Sequence, residues 1–133
     1  MHEIGKPKPD LAQLVVKWQA ILRLQDWDIE ARYRRAFDMD DNKQGGCSWM
    51  RRLRQARVSI LDPLDYSPNP RWDDVQDIEA TLVHELLHIH FALVDDYQNL
   101  SLDLFEQSIE AIAQALIELH RQAEDRLTGA NPK

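Results

Sequence analysis

Cysteine is nearly absent from this chain: Cys47 is the only one in 133 residues. No disulfide framework and no cysteine ribbon can be built from it, and a lone thiol of this kind reads as a small core or near-core residue on a strand rather than a metal ligand. Long apolar runs are missing as well. Nothing approaches membrane-spanning length, and the first ten residues are broken by Lys and Pro with no apolar centre, so neither a membrane span nor a signal peptide is expected. Together with the unpaired thiol, this points to a soluble, cytoplasmic protein. Basic residues are outnumbered, 16 Lys/Arg against 23 Asp/Glu, for a net charge of −7. They are also unevenly placed: residues 1–71 hold 13 Lys/Arg against 10 Asp/Glu, and residues 72–133 hold 3 against 13. An acidic C-terminal half argues against duplex nucleic acid as the main partner, since that binding is dominated by phosphate neutralisation. The arginines between positions 32 and 57 leave a local contact open. No repeat or low-complexity segment occurs.

What is present fits one domain over residues 1–133, with flexible tails at 1–9 and 128–133. Asp10 caps a helix whose Leu11, Leu14, Val15, Trp18, Ile21 and Leu22 share a face, ending near Leu24. Residues 28–34 alternate apolar and charged, the pattern of a strand with one face on the core. Residues 38–46, with paired glycines, read as a hairpin-like loop, and residues 48–52 and 55–61 as two further strands. Residues 62–71 carry Pro63, Pro68 and Pro70 and are expected to be a non-helical link. A helix then runs from Asp73 through Val83 into the segment that follows, its acids crowding the first turns and Val75, Ile78, Leu82, Leu86 and Ile89 forming a core stripe. After a turn at 95–99, a last helix opens at Ser101 and runs to about Arg126.

The chemistry lies in His84-Glu85-Leu86-Leu87-His88. Residues four apart on a helix share a face, so both imidazoles can close on one ion while Glu85 stands beside them. Burying His-Glu-His in so apolar a helix without partners would cost several kcal/mol, and a bound ion satisfies them. Ordinary semi-buried histidines, each paired with a carboxylate, are the bland alternative. A catalytic zinc takes three protein ligands and leaves a fourth position to water. Cys47 is a poor third ligand, and His90, two residues past His88, faces away and reads as a rim residue. Glu106 and Glu110 on the last helix are four apart, in line with Ala113 and near Ile117, so their face is expected to look inward. Glu106 is the preferred ligand; Glu110 accepts the other ring N–H of a ligand histidine or is the alternative ligand.

These residues resemble the gluzincins, in which a glutamate from the next helix completes the zinc site of an HExxH helix. In thermolysin-like members the later acid is usually Asp and the gap slightly longer, so this chain departs in both respects. With Leu24-x-x-Trp27-x-Ile29, Gly46-Cys47-x-Trp49 and Ala56-x-Val58-x-Ile60, the likeness extends to the small phage-type and bacterial zincin-like proteins called minigluzincins, from about Leu11 to about Leu119. In outline these are similar to the SprT-like domain, whose third histidine and cysteine ribbon are absent here. The resemblance implies an α+β, minimal zincin-like fold: an N-terminal helix, a small three-stranded and mostly antiparallel sheet, an active-site helix and a C-terminal backing helix.

The expected function is that of a zinc metalloendopeptidase with one Zn2+ per chain, held by His84, His88 and Glu106, acting on a peptide or protein substrate. Glu85 is the general base. Tyr97, Tyr66 and His120 are possible oxyanion donors, and spacing selects none of them. A strand edge at 48–52 or 55–61 could hold an extended peptide, its arginines favouring acidic or carboxylate-bearing substrates or simply solvating the sheet. The alternative is a catalytically silent, zinc-binding regulatory or protein-binding module, its cleft filled by residues 1–9 or 130–133.

Overall fold

The computed structural model describes residues 8–39, 43–66, 75–92 and 102–128. Its architecture is α+β, with four helices among the described residues and one three-stranded mixed sheet. Helix α1 spans Leu11–Ile21; Asp10 accepts hydrogen bonds from the Ala12 and Gln13 amides and so satisfies two orphan donors of the first turn. It closes earlier than expected from its apolar stripe, because Arg23 takes a left-handed backbone (φ 62°) just beyond the last turn.

The sheet is built from β1 (Asp28–Arg34), β2 (Gly45–Met50) and β3 (Gln55–Leu61) in the order β1-β3-β2. Strand β3 is central, parallel to β1 with Ile29 opposite Ala56, and antiparallel to β2 with Trp49 opposite that same alanine. The expectation of a mostly antiparallel sheet is therefore corrected to one pairing of each kind. Strand β2 begins at the two glycines that were expected to belong to a loop and ends at Met50, followed by a 3-10 turn at Arg51–Leu53 and a left-handed Arg54 (φ 54°). One face of the sheet packs on the core, with Ala56, Val58 and Ile60 buried and Ile29, Ala31, Tyr33, Cys47 and Trp49 partly buried. The opposite face carries Glu30, Arg32, Arg57 and Ser48 and is exposed.

Residues 62–71 are not uniformly non-helical: Pro63–Tyr66 forms one turn, α2, with Pro63 at its first position, where a missing N–H costs nothing. Helix α3 spans Ile78–His90 with Asp77 as N-cap, its carboxylate accepting from the Ala80 amide. Val75 precedes the helix and is exposed, so it does not join the core stripe. Helix α4 spans Leu102–Thr128. Ser101, the turn at 95–99, Asp73, Asp74, residues 67–71 and the outermost tails lie outside the described residues.

Helix α3 is buried almost all round because it packs on β2 and β3 with one side and on α4 with the other, while α1 lies along β1. Leu82, Val83 and Leu86 have no solvent exposure, and Ile109, Ala113 and Ile117 of α4 close over them. Trp18 of α1 is also fully buried, and its indole N–H donates to Glu79 Oε2 at 2.6 Å. Arg121 of α4 grips Asp77 with two hydrogen bonds of 3.0 Å, so the start of α3 is fixed from both flanks. No helix among the described residues is long and apolar enough to cross a membrane.

Candidate metal centre

Two elements bring the titratable residues together. On α3, His84 and His88 share the face that meets α4, with ring centroids 5.3 Å apart. On α4, Glu106 presents one carboxylate oxygen to each ring: Oε1 is 2.9 Å from His84 Nε2 and Oε2 is 3.1 Å from His88 Nε2. One ligand atom from each of the three lies within 4.8 Å of the other two. Ligand atoms about 2 Å from a tetrahedral zinc are themselves about 3.3 Å apart, so the three donors need only small rotamer adjustments to share an ion. Two imidazole nitrogens and a carboxylate are also the ligand types zinc takes in hydrolytic sites.

Glu110, one turn further along α4, reaches the other nitrogen of the same ring: its Oε1 is 2.7 Å from His84 Nδ1. His84 thus faces a carboxylate at both ends. Burial alone would lower its pKa, but Glu110, Glu85 and Glu106 outweigh that and raise it. Each ring nitrogen of His84 lies within hydrogen-bond distance of a carboxylate oxygen, and the one that carries a proton donates it. With Nδ1–H donating to Glu110, Nε2 would be left as the lone-pair nitrogen that could hold a metal. Glu110 is held in turn by Gln114, whose Nε2 donates at 2.8 Å.

The expectation that Glu106 and Glu110 look inward is corrected by their exposure. Their side chains keep 49% and 51% of their accessible surface, while Ala113 and Ile117 beside them are buried. The row Glu106-Glu110-Gln114 forms the rim of a cleft, and only its carboxylate ends reach the histidines. The cleft, about 790 Å³, lies between this rim and β2, with His84, Glu85 and His88 on its floor.

Glu85 is 8% exposed, and burial is the main force that pushes its carboxyl above the ordinary carboxylate range, against the opposing pull of His84 and His88. It can sit there because β2 approaches α3 through a glycine. A Cβ on Gly45 would stand 2.7 Å from Thr81 Cγ2 and 2.9 Å from Glu85 Oε2, so only a residue without a side chain fits. His88 is flanked by aromatic rings, with Trp49 roughly parallel at 6.4 Å and Phe105 edge-on at 5.9 Å. These contacts limit rotation of the ring and shield one side of the site from water.

The other expected residues fall at different distances from this centre. Tyr66 lines the same cleft and is buried to 6% exposure. Tyr97 lies outside the described residues. His120 does not reach the cleft: it packs edge-on against Trp18 at 5.1 Å, on the side of α4 that faces α1. This corrects its candidacy as an oxyanion donor, because ten residues of helix separate it from Glu110 by about 15 Å. His90 is exposed and donates to the Leu22 carbonyl at 2.6 Å. Strand β3 is paired on both sides and has no free edge, so the candidate substrate rim narrows to β2. The cleft lining includes Gly45, Gly46, Cys47 and Trp49 but, among the described residues, no arginine.

Gln114, Trp49, Phe105 and Gly45 were not foreseen as parts of the site. Only Gln114 had a local signal, since it continues the four-residue step from Glu106 through Glu110. Cys47 also lines the cleft, and burial first, then the nearby Glu85 charge, pushes its thiol up to about 12. A neutral thiol is a poor nucleophile. Cys47 should therefore react with a maleimide or disulfide reagent at pH 8 about a thousandfold more slowly in the native protein than after denaturation, as measured by thiol titration with and without guanidinium.

Compared with known proteins, the chain matches no family model, no curated protein and no solved structure.

Proposed function

We propose that the protein is a zinc-dependent metallopeptidase of gluzincin type with a minimal zincin-like fold. The observation that carries this reading is the convergence of His84, His88 and Glu106 on one point, with a buried glutamate beside them and an open cleft above. His84 and His88 would hold the metal through ring nitrogens, and Glu106 would contribute a carboxylate oxygen. Zinc held there supplies a Lewis acid for the scissile carbonyl and a water whose pKa is lowered toward neutrality. Glu85 takes the proton of the attacking water and returns it to the departing amine nitrogen as the C–N bond breaks. Burial suits it to that role, because a carboxylate whose pKa is raised by desolvation is a stronger proton acceptor than an exposed one. Glu110, steadied by Gln114, holds the His84 ring, while Trp49 and Phe105 hold His88. The Tyr66 hydroxyl is the remaining candidate within the described cleft for a donor to the carbonyl oxygen. The edge of β2 that no described strand pairs offers main-chain groups to an extended peptide.

Metal content tests this directly. Elemental analysis of the purified protein should give about one zinc per chain, with His88→Ala losing it and a chelator lowering the melting temperature of the native protein but not of the variant. A metal-free native protein whose melting temperature does not change on adding zinc would overturn the reading.

A further inference from the structure

We infer that Lys43 receives a substrate carboxylate, either an acidic side chain or the terminal carboxylate, on one side of the cleaved bond. This rests on the peptidase reading above. The cleft has a direction set by β2 and α3. Gly45 abuts Thr81 and Glu85, while Trp49, four residues on, stacks against His88. Lys43 precedes Gly45 by two residues and so belongs to the Asp77-Thr81 end, with the indole of Trp49 at the opposite end. A peptide lying along β2 meets an apolar wall on one side of the metal and a cation on the other.

Lys43 is exposed, lines the cleft, and is the only Lys or Arg among the described lining residues. The acids at its end are already committed. Asp77 is held by Arg121 through two 3.0 Å bonds, and Glu110 is shared between His84 at 2.7 Å and Gln114 at 2.8 Å. Lys43 itself makes no hydrogen bond or ion pair with any described residue, although its charge is felt by Glu85. An unpaired ammonium on a four-carbon stem is a mobile point charge that can follow carboxylates arriving at different angles. The described arginines do not perform this task, because Arg32 and Arg57 point from the opposite face of the sheet and none of the described arginines lines the cleft. The preference for carboxylate-bearing substrates thus moves from the strand arginines to one lysine.

The test uses zinc-loaded Glu85→Gln protein, which binds without turnover, and calorimetry with hexapeptides of one neutral core sequence. One pair differs by Glu against Gln in the side chain, the other by a terminal carboxylate against its amide. A carboxylate in at least one pair should tighten Kd about tenfold at low salt, with most of the gain lost in 0.5 M salt. The pair that shows the gain identifies its source. Adding Lys43→Met should erase the gain while zinc content stays at one per chain, and Lys43→Glu should reverse it toward a Lys-containing peptide. The same gain in the Lys43→Met protein, or no gain in its parent, overturns the inference and leaves the peptidase reading standing, provided the neutral peptides bind. If no peptide binds, both readings fall.

Discussion

Glu85→Gln protein should retain one zinc per chain and hydrolyse peptide bonds about a thousandfold more slowly than the native protein. The substitution is nearly isosteric, which matters in a site where Glu85 Oε2 would lie only 2.9 Å from a Cβ on Gly45. It leaves the three ligand side chains in place and removes only the ability to accept a proton. Stability should hold or rise, because the native carboxyl is buried and its pKa is raised by that burial. The measurement pairs metal analysis and thermal unfolding with turnover of a fluorogenic peptide pool. A silent zinc-binding module would also keep its metal, but its native form would have no hydrolysis to lose. Variant and native proteins that cleave at equal rates would remove Glu85 from the chemistry, and another group would have to accept the proton of the attacking water.

Local patterns carried some elements across without change. Strands β1 and β3 occupy the spans that period-two alternation marks out, because each has one buried and one exposed face. Pairing was less legible. Which strand sits in the middle depends on contacts between distant segments, and β3 lies between two strands that both precede it in sequence. Val75 and Pro63 failed in opposite directions. An apolar residue in step with a helical stripe stays outside the helix once Asp77 caps it, and a proline at the first position of a turn starts a helix as readily as it stops one.

The centre divides along the same line. Spacing within α3 places His84 and His88 on one face, and spacing within α4 places Glu106 and Glu110 on another. That these faces meet is a tertiary fact, set by Leu82, Val83, Leu86, Ile109 and Ala113 between the two helices. Their meeting at the rim, with both glutamates half exposed, could not be read from an inward-looking row of alanine and isoleucine. The aromatic flanks of His88 come from β2 and α4, and no one-dimensional pattern connects them to it.

Outside the cleft, the largest stability loss is expected from Trp18→Ala. The side chain is fully buried among α1, α3 and α4, so its removal leaves a cavity that costs about 4 kcal/mol. Its indole N–H is also one of two donors to Glu79 Oε2, at 2.6 Å, with Lys17 Nζ at 2.8 Å. Burial tends to raise the Glu79 pKa, yet the bonds from Lys17 and Trp18 win and lower it, so the group is ionised at neutral pH. Losing the indole leaves that charge short of a partner in a partly buried place. Because Glu79 lies in the first turn of α3, the damage falls on the helix that carries His84 and His88. In a domain of this size, about 4 kcal/mol corresponds to a fall in melting temperature of about 15 °C. Trp18→Phe separates the two contributions: it fills most of the cavity but donates nothing to Glu79, and should cost about 1.5 kcal/mol. Thermal unfolding of both variants in excess zinc and in chelator completes the comparison. The zinc-dependent increment should persist in Trp18→Phe, since a metal held by His84, His88 and Glu106 would tie α3 to α4 while Trp18 ties α3 to α1. A Trp18→Ala protein that melts within 5 °C of native would show that this junction does not hold α3 in place.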